Sequence, residues 1–177
     1  MRIEEEIKLD YSDVLFRPKR STLKSRKEVD LKRKYQFKYS RLIWEGIPII
    51  AANMDGVGEI DVAKKLSTFK LMTALTKQQQ ISDIVKINKN KLMHNLVALS
   101  CGTSKESYSR LNKILSKFPK FQFICIDVAN GYSENFSHFV SEVRKKYPTK
   151  TIIAGNVVTA DMTQELVLSG ADIVKVG

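Results

Sequence analysis

The sequence predicts an α/β chain: an incomplete TIM (β/α)₈ barrel of about six parallel strands and five helices behind an irregular N-terminal arm. Three observations predict it. Near-continuous apolar runs recur along residues 47–177, as in strands covered on both faces. Stretches of 3.6-residue periodicity separate them. Such alternation builds a parallel sheet whose right-handed crossovers put the helices on one side. At 177 residues the chain is shorter than the roughly 250 of a complete barrel.

Residues 1–46 read as the arm, with aromatic anchors at Tyr11, Phe16, Tyr35, Phe37, Tyr39 and Trp44 and a short hairpin. Residues 47–177 carry the barrel strands, at Ile47–Asn53, Leu71–Leu75, Leu96–Ser100, Phe123–Asp127, Thr151–Gly155 and Ala171–Gly177. Ile81, Ile84 and Val85 mark a short helix, and Tyr108, Leu111, Leu115 and Phe118 one face of a helix that Ser104 can cap. Phe136, Phe139, Val140, Val143 and Tyr147 do the same behind Ser133. Thr159 can open the helix carrying Met162, Leu166 and Val167, which Gly170 ends. A Rossmann-like domain would need a glycine-rich loop after its first strand, and Asn53-Met54-Asp55-Gly56-Val57-Gly58 does not match that fingerprint.

Hydrophobic residues make up 43% of the chain, so it is globular rather than disordered. No apolar run approaches the roughly 18 residues of a membrane helix, and the charged start, Met1 to Glu6, does not resemble a signal peptide. With two cysteines and no disulfide framework, a cytoplasmic location is expected. The formal net charge of +11 raises nucleic-acid binding. The lysines are scattered, however, and no aromatic-interleaved basic motif stands out. One cluster differs, with six basic residues among the eleven from Arg17 to Lys27. Such a loop can meet phosphate, or be a solvated arm.

A barrel gathers its chemistry at the C-terminal strand ends. Those positions hold Asn53-Met54-Asp55, Thr76-Lys77, Ser100-Cys101-Gly102-Thr103, Asp127 with Ala129-Asn130-Gly131, Gly155-Asn156 and Gly177. The set suits a polar ligand with sugar and phosphate groups. Asp127 shares a strand face with Phe123 and Cys125, so its carboxylate is expected in the barrel mouth, where ligand hydroxyls can supply donors. Neither His94 nor His138 stands at a strand end, Cys101 has no histidine to activate it, and no metal-ligand spacing occurs.

Several phrases resemble one family. Asp10-Tyr11-Ser12-Asp13-Val14-Leu15-Phe16-Arg17-Pro18 and Pro48-Ile49-Ile50-Ala51-Ala52-Asn53-Met54-Asp55 are similar to the inosine-monophosphate dehydrogenase and GMP reductase superfamily. Arg20 to Arg26, Cys125 to Glu134, Ala154 to Thr159 and Leu168 to Gly177 narrow the resemblance to GMP reductase. Only Gln78 to Asn95 separate Lys77 from the third strand, leaving no room for the regulatory insert usual in the dehydrogenases.

The resemblance implies a tetrameric (β/α)₈ enzyme that converts GMP to IMP and ammonia with NADPH. The family's attacking cysteine, its neighbouring threonine and a potassium-ordered loop follow the sixth strand, so the expectation is that they fall beyond Gly177 and that the 177 residues alone are inactive. By the same resemblance, cofactor contacts fall on Lys77, Asp127, Val128, Ala129, Asn130 and Gly131, with Ser25 and Arg26 reaching the cofactor of an adjoining subunit. Asn53, Met54, Asp55 and Asn156 are the substrate-side candidates. Thr76 and Gln78 replace the histidines usual beside the lysine, and Gly56 a usual threonine, which implies relaxed selection or a retuned pocket. The alternatives are an inosine-monophosphate dehydrogenase-like oxidoreductase and a non-enzymatic basic scaffold that binds nucleic acid.

Overall fold

The computed structural model describes residues 5–7 and 9–177. The chain divides into two compact units, Met1–Asp30 and Leu31–Gly177. In the first, two 3₁₀ turns are held by their own side chains. Asp10 caps Tyr11–Asp13, its Oδ1 accepting from the Tyr11 amide at 2.6 Å. Ser25 caps Arg26–Glu28, its Oγ accepting from the Lys27 amide at 3.3 Å. Every described residue here is exposed. Tyr11 and Phe16, expected as anchors, are among these exposed side chains.

The second unit opens with the expected hairpin, β1 (Arg33–Gln36) paired antiparallel with β2 (Ile43–Gly46). Trp44 is buried, stacks on Tyr35 with ring centroids 6.2 Å apart, and donates from Nε1 to the Asn95 carbonyl at 2.8 Å. Phe37 meets Phe123 edge-on, and Ser40 Oγ lies 2.8 Å from Thr151 Oγ1. The hairpin thus packs where the barrel strands begin.

Six parallel strands follow in chain order: β3 (Ile50–Ala51), β4 (Met72–Ala74), β5 (Val97–Cys101), β6 (Phe123–Asp127), β7 (Thr151–Val157) and β8 (Ile173–Val176). β3 is shorter than the expected Ile47–Asn53. It lies at an edge of the sheet, where Pro48 has no amide to give, although Ile47 and Met72 still bond to Lys70 and Ile49 at 3.0 Å.

The helices are α1 (Ile60–Ser67), α2 (Ile81–Asn88), α3 (Met93–Leu96), α4 (Lys105–Lys117), α5 (Glu134–Lys146) and α6 (Ala160–Leu168). Among the described residues that is six rather than five. α3 is a single turn inside a polar stretch, fixed because Met93 and His94 are buried and His94 Nε2 lies 2.9 Å from the Asn88 carbonyl. Ser104 and Thr159 cap α4 and α6 as expected, whereas Ser133 stands at the cap position of α5 without a side-chain bond. Gly170, at φ 109°, closes α6.

Period-two alternation sorts the strand side chains into two cores. Leu99, Cys101, Ile124, Ile126, Ile152 and Ala154 pack against the helices. Met72, Ala74, Ala98, Phe123, Cys125 and Ile153 fill the concave interior over Trp44. Continuing the interior face upward leads from Ala98 to Ser100, from Cys125 to Asp127 and from Ile173 to Lys175. Polar groups thus crown the apolar layers at the strand ends.

Candidate functional site

Asp127 ends β6 on the interior face, as its alternation predicts. Lys175, two residues after Ile173 on β8, extends its ammonium into an ion pair with Asp127 Oδ1 and donates to Asn53 Oδ1 at 3.2 Å. Lysine side chains are long enough for this reach, and the backbone permits it because β7 offers glycine beside Lys175. A Cβ on Gly155 would stand 2.6 Å from the Lys175 Cβ and carbonyl oxygen, a distance real side chains do not adopt.

Burial alone would push the Asp127 carboxyl up. Hydrogen bonding from Lys175 and Asn53, with the charges of Lys175 and Lys77, outweighs it and holds the carboxyl below its ordinary value. Asp127 is therefore an anion at neutral pH, poised to accept hydrogen bonds.

Beside it opens a cavity of about 520 Å³ lined by Lys77, Thr103, Ser104, Ser107, Arg110, Asp127, Val128 and Ala129, among others. Arg110 Nη1 donates to the Lys77 carbonyl at 2.6 Å, fixing the loop that carries the lysine. Ser107 Oγ accepts from the Gly102 amide at 2.9 Å and steadies the loop after β5. The first turn of the thirteen-residue α4 faces the same space. One wall thus offers cations, hydroxyls and the positive end of a helix dipole together with the Glu106 carboxylate, and another the Asp127 carboxylate.

Of the residues expected from sequence, Lys77, Asp127, Val128 and Ala129 line this cavity, and Asn53 joins Asp127 through Lys175. Asn130 and Gly131 form the adjoining turn, where Asn130 Oδ1 accepts from Tyr132 and the Gly131 amide bonds the Asn156 carbonyl at 2.8 Å. A Cβ at Gly131 would meet that carbonyl oxygen at 2.6 Å. Asn156 Oδ1 is buried with no partner among the described residues. Met54 and Asp55 are exposed on the turn after β3. Ser25 and Arg26 belong to the first unit. Sequence reasoning missed Lys175 and Arg110. The available signal for Lys175 was a lone cation at an interior-facing strand position.

Neither thiol faces the mouth. Cys101 points into the helix-side core, and burial, with a smaller effect from Cys125, pushes it up to about 12. Burial pushes Cys125, inside the barrel, up to about 11. Among the described residues no group of His, Cys, Asp and Glu could hold a metal ion, and no helix is long and apolar enough to cross a membrane.

Residues 8–177 match the IMP dehydrogenase / GMP reductase domain. A GMP reductase from Klebsiella pneumoniae is 54% identical over all of this chain and 52% of its own length, and one from Citrobacter koseri is 53% identical over the same shares. The chain thus spans about half the length of the curated relatives it matches. The crystal structure of inosine 5′-monophosphate dehydrogenase from Legionella pneumophila superposes with a TM-score of 0.75 at 26% identity, over 94% of this chain and 49% of that one. The partial barrel, its polar mouth and these matches make the chain a member of the IMP dehydrogenase/GMP reductase family, similar to the N-terminal part of GMP reductases.

Proposed function

We propose that the protein acts as an NADPH-dependent GMP reductase, converting GMP to IMP with release of ammonia, and that these residues form the cofactor side of its site. The observation that carries the reading is the Asp127 carboxylate, held ionised at the edge of a cavity whose other wall presents Lys77 and Arg110. A dinucleotide needs this pairing: acceptors for its hydroxyls or amide, and cations and hydroxyl donors for its phosphates. The residues present therefore fit part of NADPH, which supplies the hydride when bound.

Within this reading Asp127 accepts hydrogen bonds from the cofactor, while Lys77 with Arg26 of an adjoining subunit neutralises phosphate charge. Val128 and Ala129 bring backbone to the ligand, and Asn130 and Gly131 hold that turn against Asn156. Asn53, Met54 and Asp55 face the purine nucleotide, and Asn156 Oδ1 would gain a donor from it. By family likeness the attacking cysteine and the potassium loop belong to residues outside 1–177. The reading carries with it a homotetramer in the cytoplasm.

The test is NADPH binding, followed by fluorescence, for the wild type and Asp127→Ala. Loss of one charge-assisted hydrogen bond, on the order of 1.5–3 kcal/mol, should weaken binding roughly ten- to a hundredfold. Unchanged affinity would sink the assignment of Asp127. Binding of NAD⁺ with IMP in preference to NADPH with GMP would favour a dehydrogenase. A salt-dependent nucleic-acid shift without nucleotide binding would favour a basic scaffold.

A further inference from the structure

We propose that Lys175 is a positioning residue of the barrel mouth: its ammonium joins Asp127, on the cofactor side, to Asn53, on the nucleotide side, and fixes the carboxylate in the orientation and charge state in which it accepts hydrogen bonds from a ligand. The proposal deepens the cofactor reading above and rests on it.

Four observations carry it. β3 and β8 are the two ends of the sheet order and do not pair with each other, yet Lys175 on β8 reaches Asn53 after β3 as well as Asp127 on β6. One side chain therefore ties three strand ends together. An interior strand position is an expensive place for an ammonium unless its charge is paired, and the layer beneath is apolar, with Phe123, Cys125 and Ile153. The pair is also open to a ligand, since the side chains of Lys175 and Asp127 keep 29% and 24% of their surface exposed. A lysine that only filled space would be closed over. Finally, Gly155, paired with Lys175 in the sheet, leaves the room that the lysine occupies.

The titratable and charged groups around Asp127 are Lys175 on β8, Lys77 after β4 and Cys125 on its own strand. Glu106 and Arg110 of α4 line the adjoining cavity. Lys77 is exposed and acts on Asp127 only through its field. Without Lys175, the carboxyl keeps its burial and loses its principal donor. Its protonation then becomes easier, and only Asn53 is left to hold its rotamer.

The experiment is a carbon-detected NMR titration of the Asp127 carboxyl in the wild type, Lys175→Met and Lys175→Arg, with NADPH binding measured on each. The wild-type midpoint should lie below 3.8. Lys175→Met should raise it by about one pH unit or more, the effect of losing an adjacent opposite charge, and weaken NADPH binding by about fivefold or more. Lys175→Arg, which keeps the charge, should restore most of the titration. A Lys175→Met midpoint equal to wild type would overturn the proposal. So would a wild-type midpoint at or above 3.8, a result needing no variant to fold. A Lys175-dependent midpoint with no NADPH binding by any of the three proteins would support the positioning role and overturn the cofactor reading instead.

Discussion

A carboxylate whose protonation is suppressed by its neighbours ties folding to pH. The Asp127 value is lowered in the folded chain, so folding favours the anion. The resulting stability is fully present above the ordinary value of 3.8 and is lost as pH falls through the folded value. Urea midpoints measured down an acid series should therefore fall more steeply in the wild type than in Lys175→Met, which lacks the pair; parallel curves would contradict this. Asp127 was legible in the sequence because two positions separate it from Cys125 and four from Phe123, which puts all three on one strand face. Lys175 obeys the same rule with Ile173. It went unread because a lysine near a strand end looks like solvated polarity, and only the curl of the sheet brings it to Asn53 and Asp127.

Elements dock here through a few buried polar joints as well as through apolar faces. Arg144 on α5 donates from Nη2 to Asp172 Oδ2 at 2.6 Å, from Nε to the Gly170 carbonyl at 2.9 Å and from Nη1 to the Lys150 carbonyl at 2.7 Å. The Asp172 side chain is fully buried, and it also accepts from the Tyr39 amide at 2.8 Å and the Ile152 amide at 3.1 Å. One ion pair thus joins the hairpin loop, α5, β7 and the approach to β8. Arg144→Ala should destabilise the fold by about 3–5 kcal/mol, because it strands a buried carboxylate. Arg144→Lys should recover only part of that, since an ammonium cannot reproduce the guanidinium fork. Urea unfolding separates the cases, and a cost below 1 kcal/mol for Arg144→Ala would refute the joint. At this scale the strands and long helices were legible from apolar runs and 3.6-residue periodicity. The turn α3 was not, because Asn88-Lys89-Asn90-Lys91 reads as a loop and the burial of His94 is a tertiary effect. Nor was the missing cap of α5, since Ser133 has the right residue type and position but makes no side-chain bond.

The six strands curl far enough for Lys175 to reach Asn53, while β3 and β8 remain unpaired with each other. A cleft of about 330 Å³ opens between them at the hairpin end, lined by Trp44, Ile50, Met72 and Ile173 among others. Among the described residues the polar mouth is present, but neither thiol faces it. The proposed reaction uses a thiolate beside the purine. Cys101 faces the helices and is pushed up to about 12, and Cys125 lies beneath the mouth at about 11. At pH 8 a thiol with a pKa near 11 is about one part in a thousand thiolate, and one near 12 is about ten times less. Purified as these 177 residues, the protein should therefore not oxidise NADPH in the presence of GMP. Both cysteines should also resist alkylation at pH 8 until the chain is unfolded in urea. Ammonia release matched by NADPH loss, abolished by Cys101→Ser or Cys125→Ser, would show that a buried thiol reaches the mouth after all. Turnover that survives both substitutions would show that the reduction needs no thiol from this chain.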